Sequence, residues 1–118
     1  MVRRKNEVVA TRKPSPFNGT GEITVRELLN GPEELYEKGR VFAHTTVYPG
    51  CGIGYHVHHN ESETYFIMSG SGTFNDNGME VEFEPGDVLY TGDGEGHSIA
   101  ATHGEPVEMV ALILYHNS

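Results

Sequence analysis

Glycine and proline interrupt this chain so often that long helices are excluded. Fifteen glycines and six prolines are spread through 118 residues, and they break nearly every window before several turns of 3.6-residue periodicity can accumulate. One exception is residues 32–38, where a proline precedes two glutamates, and there we predict a single short turn of helix. The rest of the chain is expected to be strand and turn.

Short segments rich in β-branched and aromatic residues recur between the turn signals, a pattern typical of all-β barrels and sandwiches. We predict nine strands, at residues 22–28, 41–48, 54–58, 64–69, 72–74, 79–83, 88–90, 97–101 and 107–115. Residues 75–78 read Asn-Asp-Asn-Gly and predict a tight hairpin turn, because these residues tolerate positive φ. Residues 85–87 read Pro-Gly-Asp and predict a second turn, after which the chain changes direction.

The composition limits the partners and the location of the protein. Seventeen acidic residues against eight basic ones give a formal charge of −9, so nucleic acid is not an expected partner. No apolar run approaches the roughly 20 residues that cross a bilayer, and no apolar stretch of a secretory signal follows the charged start. Cys51 is the only cysteine, so no intrachain disulfide forms. We expect a cytoplasmic protein with no membrane partner.

The chain is expected to form one domain preceded by an arm. Residues 1–20 contain Pro14, Pro16 and Gly19, with Gly21 directly after them, but little periodic apolar content. We predict that this arm either packs on the barrel or crosses to a partner subunit. Residues 21–118 are predicted to be the barrel, and a chain of this length supports one compact core.

Three histidines and a glutamate have the spacing of metal ligands. His56 and His58 are two residues apart, so in a strand they project from the same face with Cα atoms about 6.5 Å apart. Glu63 follows after a polar turn, which places it at the start of the next strand, beside the pair. His97 follows a glycine-rich segment that allows close approach, and it is a plausible fourth ligand. Such a site usually keeps positions open for water or substrate.

These residues carry a resemblance to the cupin family. Residues 50–70 read glycine, five residues, His-x-His, four residues, glutamate, six residues and glycine, which is the first cupin motif with every fixed position present. Gly86, Gly94 and His97 match the second motif in spacing, but Gly92 stands where proline is usual and Ala101 where asparagine is usual. The resemblance implies an all-β double-stranded β-helix (jelly-roll) barrel, one site at its mouth and a homodimer.

Other side chains are candidates for proton transfer near the metal. Tyr65 shares its parity with Glu63 and is expected to point inward, although it could simply pack there. His44 could bind substrate or donate a proton if it faces inward, and the alternative is a polar residue on the outer face. Glu61 is the third candidate. His59 belongs to the turn and is expected to be exposed.

The predicted function rests on one divalent ion, either Mn, Fe, Ni or Zn. The first hypothesis is an enzyme in which this ion binds a small carboxylate or sugar acid and acts as a Lewis acid. Cupins include oxalate decarboxylases, dioxygenases, isomerases and lyases, so the resemblance does not choose a reaction. The second hypothesis is a small-molecule binding module or sensor that uses the same metal without turnover. A third is a metal-free structural barrel.

Overall fold

The computed structural model describes residues 1–116, which form two antiparallel sheets. The strands in that range are β1 Val9–Pro14, β2 Glu22–Leu29, β3 Gly39–Val47, β4 Gly52–Val57, β5 Glu61–Ser69, β6 Gly72–Asp76, β7 Met79–Phe83, β8 Val88–Thr91, β9 Gly96–Ala100 and β10 Val107–Tyr115. Short helical segments lie at Lys5–Glu7, at Pro16–Asn18 and at Gly31–Glu34, the last of which we name α1. All nine predicted strands are present, and the predicted helical turn is shorter than expected.

The core lies between a large and a small sheet. The six-stranded sheet has the order β1-β2-β3-β10-β5-β8, and the four-stranded sheet has the order β4-β9-β6-β7. From β3 to β10 the chain crosses from one sheet to the other at every connection except the β6–β7 hairpin, as it does in a jelly roll. Buried apolar side chains from both sheets fill the space between them, among them Val47, Ile67, Met109, Ile53, Phe74 and Ile99. The predicted all-β jelly roll is confirmed.

Both predicted turns are present. β6 and β7 form a hairpin whose last paired residues are Asp76 and Met79. The two residues between them, Asn77 and Gly78, have φ values of 50° and 100°, which is the left-handed conformation that a two-residue type I′ turn requires. Gly86 has a φ of 94°, and the strand that follows it, β8, lies in the other sheet. The chain therefore changes direction there as predicted.

The sequence pattern does not predict β1. This strand pairs antiparallel with β2, from Val9 opposite Glu27 to Pro14 opposite Glu22, at the edge of the large sheet. All six of its residues are exposed, so the alternation that identifies a half-buried strand is missing from the sequence. The arm thus extends the sheet of its own chain. Within residues 1–116, no helix has the length and apolar character needed to cross a bilayer.

Candidate metal centre

Four side chains from the two sheets meet at one point between them. His56 lies on β4 and His58 directly follows it, while Glu63 lies on β5 and His97 on β9. Nε2 of His97 is 3.0 Å from Nε2 of His58, 3.2 Å from Nε2 of His56 and 3.1 Å from Oε1 of Glu63. One ligand atom of each residue lies within 4.8 Å of all the others. The structure therefore brings together the four residues that the sequence predicts as ligands, and we call them the cluster.

A β-bulge in β4 turns His56 toward the interior. Ile53 pairs with Ile99 and His56 pairs with His97, so β4 advances three residues where β9 advances two. In a regular strand Ile53 and His56 would point to opposite faces, but the extra residue lets both face inward. Gly54 lies in this bulge, and a glycine inside a strand is the sequence feature that indicates one.

Each imidazole of the cluster is oriented through its Nδ1 atom. The partners, each 2.8 Å from Nδ1, are the carbonyl oxygen of Gly54 for His56, the carboxylate of Glu61 for His58 and the hydroxyl of Thr91 for His97. A carbonyl or carboxylate oxygen only accepts hydrogen bonds, so Nδ1 carries the proton in His56 and His58. In the neutral imidazoles Nε2 therefore turns a lone pair toward the centre of the cluster, which is the tautomer that binds metals, whereas Nε2 of protonated His58 donates to Glu63. The sequence analysis does not predict these partners.

The cluster keeps its carboxylate ionised although Glu63 is only 7% exposed. Burial acts to raise the pKa of Glu63, but hydrogen bonds from His58 and His97 outweigh it and lower that pKa to about 2. The hydrogen bond to Glu63 raises the pKa of His58, whereas burial lowers the pKa of His56. The carboxylate of Glu63 thus places a negative charge among the imidazoles, and this charge favours the binding of a cation.

The separations between ligand atoms fit a single metal ion. At a bond length of about 2.1 Å, two ligand atoms at right angles around an ion lie about 3.0 Å apart. The separations from His97 given above are 3.0–3.2 Å, and Nε2 of His58 lies 3.0 Å from Oε1 of Glu63. Four nitrogen and oxygen atoms at this spacing could hold one ion, and an octahedral ion would keep two further positions for a ligand.

The structure brings Tyr65 to the cluster. Its hydroxyl donates a hydrogen bond to Oε1 of Glu63 at 3.2 Å, and its ring stacks on His97 with the centroids 5.3 Å apart. Burial raises the pKa of the Tyr65 hydroxyl well above its ordinary value. The phenol therefore stays protonated at neutral pH and serves as a hydrogen-bond donor to the carboxylate.

The structure does not bring His44 to the cluster. Its Nε2 atom lies 2.7 Å from the carboxylate of Glu108, on the outward face of the six-stranded sheet. Its neighbours Ala43 and Thr45 are buried, and in a strand alternate residues face opposite sides. This alternation was the available sequence signal for an outward His44. His59 is exposed, as predicted for the turn.

The cluster forms one wall of a cavity of about 180 Å³. His56, His58, Glu63 and Tyr65 line it, and most of the other lining side chains are apolar, including Val25, Val41, Met109 and Ile113. Lys13 and Arg40 are the cationic residues of its lining, and Glu63 is the one carboxylate among the described residues there. Arg40 is paired with Glu61, so Lys13 and an ion held by the cluster are the groups that would attract a small anion to this cavity.

Comparisons with known proteins agree with the fold. Residues 43–113 match the family model described as a cupin domain. The oxalate-binding protein of Thermotoga maritima is 39% identical over 114 residues, which are 97% of this chain and 93% of that protein. A crystal structure of a predicted oxalate decarboxylase from Thermotoga maritima has a TM-score of 0.92 at 38% identity and covers 98% of this chain and 99% of its own.

A more distant structure has the same fold. A cupin 2 conserved barrel domain protein from Rhodopseudomonas palustris has a TM-score of 0.73 at 14% identity, with 93% of this chain and 72% of that chain covered. The predicted resemblance is confirmed, because the family model spans more than half of the chain and the relative is 39% identical over nearly all of it. This chain belongs to the cupin family.

Proposed function

We propose that this protein binds a small carboxylate, with oxalate as the first candidate, at one divalent transition-metal ion held by the cluster. The observation that carries the proposal is the cavity, which has the cluster on one wall, apolar side chains around it and Lys13 and Arg40 in its lining. Cationic groups beside an apolar cavity favour a negatively charged ligand. The relative that is 39% identical is an oxalate-binding protein, which supports the choice of oxalate.

Mn, Fe, Ni and Zn all accept imidazole and carboxylate ligands, and each is a candidate for the ion. When bound, such an ion supplies Lewis acidity toward carboxylate oxygens. The residues of the chain supply orientation and charge. The Nδ1 hydrogen bonds hold the imidazoles in place, and Glu63 offsets part of the positive charge of the ion.

Binding without turnover is the function that the cavity supports best. Glu61 pairs with Arg40 through two hydrogen bonds of 2.7 and 2.8 Å and accepts a third from His58, so its carboxylate is already engaged. Glu63 is a proposed ligand. Of the three side chains considered for proton transfer, Tyr65 is the one that lines the cavity. Its position favours the second candidate function, an enzyme of the decarboxylase, isomerase, lyase or dioxygenase type.

Calorimetric titration of oxalate into metal-loaded protein tests the proposal. We expect one oxalate to bind per metal ion, and we expect binding to disappear when a chelator has removed the metal, because the ion provides the main contact. Proton NMR of the same samples detects formate if oxalate is decarboxylated. Unchanged oxalate binding after metal removal contradicts the proposal. Formate production that is lost in Tyr65→Phe favours the enzyme instead.

Replacing Glu61 by glutamine is expected to weaken metal binding about 10–100-fold, the usual effect of altering the partner of a metal-bound histidine. The charge-assisted hydrogen bond from His58 is lost, and so is the ion pair that holds Glu61 against Arg40. Competition with a chromophoric chelator measures the metal affinity. Glu108→Gln is the matched control, since Glu108 also pairs with a histidine but on the outer face. Equal affinities in both variants would contradict a positioning role for Glu61.

A homodimer, a cytoplasmic location and a domain boundary after residue 20 stay predictions. The outward face of the six-stranded sheet supports the homodimer. Phe66, Val88 and Tyr90 share that face and are 46%, 63% and 54% exposed, and exposed apolar patches mark protein contacts.

A further inference from the structure

Phe17 lies flat against a histidine of the cluster. The ring of Phe17 and the imidazole of His56 have centroids 3.8 Å apart and planes inclined by 11°, and both residues line the cavity. The Phe17 side chain is nevertheless 60% exposed. An aromatic ring with one face on the cluster and most of its surface in solvent stands between the cavity and the outside.

The backbone around Phe17 adopts a conformation that side-chain-bearing residues rarely take. Ser15, Phe17 and Asn18 have φ values of 44°, 52° and 62°, all in the left-handed region. Such a conformation is unfavourable and persists only where the surroundings impose it. Non-glycine residues with this backbone conformation cluster at ligand-binding sites. The strained backbone at residues 15–18 is therefore consistent with a function in placing the Phe17 ring.

The surroundings that impose the conformation are on β4. The amide of Gly52 donates a hydrogen bond to the carbonyl of Thr20 at 2.9 Å. A Cβ atom added to Gly54 would lie 2.0 Å from the carbonyl oxygen of Phe17, and one added to Gly19 would lie 2.2 Å from that of Gly52. These glycines let the backbone of residues 17–19 rest directly on the strand that carries His56. The backbone that carries the Phe17 ring is therefore held against the strand that carries His56.

We infer that Phe17 sets the upper limit on the length of the ligand by covering the cavity beside the cluster. The inference rests on the proposed function, since it concerns which carboxylates reach the same metal. A longer dicarboxylate held at the same ion would extend further from the cluster, so each added methylene is expected to bring it closer to the Phe17 ring. Pro16 lines the same side of the cavity and completes this apolar cover.

Titrations of oxalate, malonate and succinate into metal-loaded Phe17→Ala and into the wild type test the inference. One methylene in a closed pocket changes affinity about 10–200-fold, so we expect the wild type to prefer oxalate over malonate by at least about tenfold. Phe17→Ala is expected to lose most of this preference by binding malonate and succinate more tightly. A preference that is the same in both proteins overturns the inference.

Tyr36→Ala is the matched control, because Tyr36 is also an exposed aromatic residue with positive φ, at 86% exposure and 55°, but it does not line the cavity. A second readout needs no physiological ligand. The rate at which pyridine-2,6-dicarboxylate, a bulky chelator, strips the metal is expected to rise about tenfold in Phe17→Ala, on the same steric grounds, and to stay unchanged in Tyr36→Ala. Equal stripping rates in wild type and Phe17→Ala overturn the inference.

The two readouts separate the inference from the function on which it rests. If the wild type binds none of the three acids, the proposed function fails and the stripping rates decide the role of Phe17. If the wild type binds oxalate and the preference and stripping rates do not change in Phe17→Ala, the inference fails while the proposed function stands. Phe17→Leu, which keeps an apolar side chain on the loop, is expected to fall between wild type and alanine in both measurements.

Discussion

Replacing His97 by alanine is expected to abolish metal binding, with an affinity loss of more than about 100-fold, because even altering the partner of a ligand costs about 10–100-fold. His97 is the central member of the cluster, with its Nε2 atom within 3.2 Å of a ligand atom of each of the other three. It is also 1% exposed, so no other side chain from the surface can take its place. Elemental analysis of purified protein measures the loss.

The control for this variant is His59→Ala. His59 directly follows His58 in the sequence but is exposed and is not part of the cluster, so its replacement is expected to leave one metal ion per chain. Circular dichroism establishes that His97→Ala has folded, since the variant also leaves a gap beside Tyr65 and Phe74. A folded His97→Ala protein that keeps a full complement of metal contradicts the assignment of the cluster.

The four cluster residues could be predicted because strands convert sequence spacing directly into position. The interval between His56 and His58 places both on one face, and Glu63 follows after a turn too short to carry it elsewhere. His97 is 34 residues beyond Glu63, and its place came from the spacing of the second motif. β9, which carries His97, pairs with β4, which carries His56, so the two motifs meet because their strands are neighbours in one sheet.

The surroundings of the cluster could not be predicted, because they depend on contacts between segments that are distant in sequence. Thr91 lies on β8, which pairs with β5 in the large sheet, whereas His97 lies on β9 in the small sheet. Their hydrogen bond therefore joins the two sheets. Phe17 reaches His56 through a turn in which Ser15 and Phe17 have positive φ, a conformation that neither residue type favours. By contrast, the outward direction of His44 could be predicted, because Val41, Ala43 and Val47 place apolar residues at the positions that alternate with it in the strand.

Replacing Gly70 by alanine is expected to destabilise the fold by about 4 kcal/mol, the sum of the cost of left-handed backbone and of overpacking. Gly70 is the last glycine of the first motif, at the point where the chain leaves β5 for the other sheet. Its φ is 83°, and an added Cβ atom would lie 2.2 Å from the carbonyl oxygen of Pro106. Thermal unfolding measures the loss as a fall in Tm of more than about 12 °C.

Gly78→Ala separates the two causes of this instability. Gly78 has a φ of 100°, but an added Cβ atom there would meet nothing within 4 Å, so only the backbone cost of about 1–2 kcal/mol is expected. Gly70 and Glu63 lie seven residues apart on the chain, and the folded fraction of Gly70→Ala is expected to bind metal as tightly as the wild type. Equal Tm values for the two variants would show that contact with Pro106 does not restrict this position. A weakened metal site in folded Gly70→Ala would show instead that the crossing between the sheets also positions Glu63.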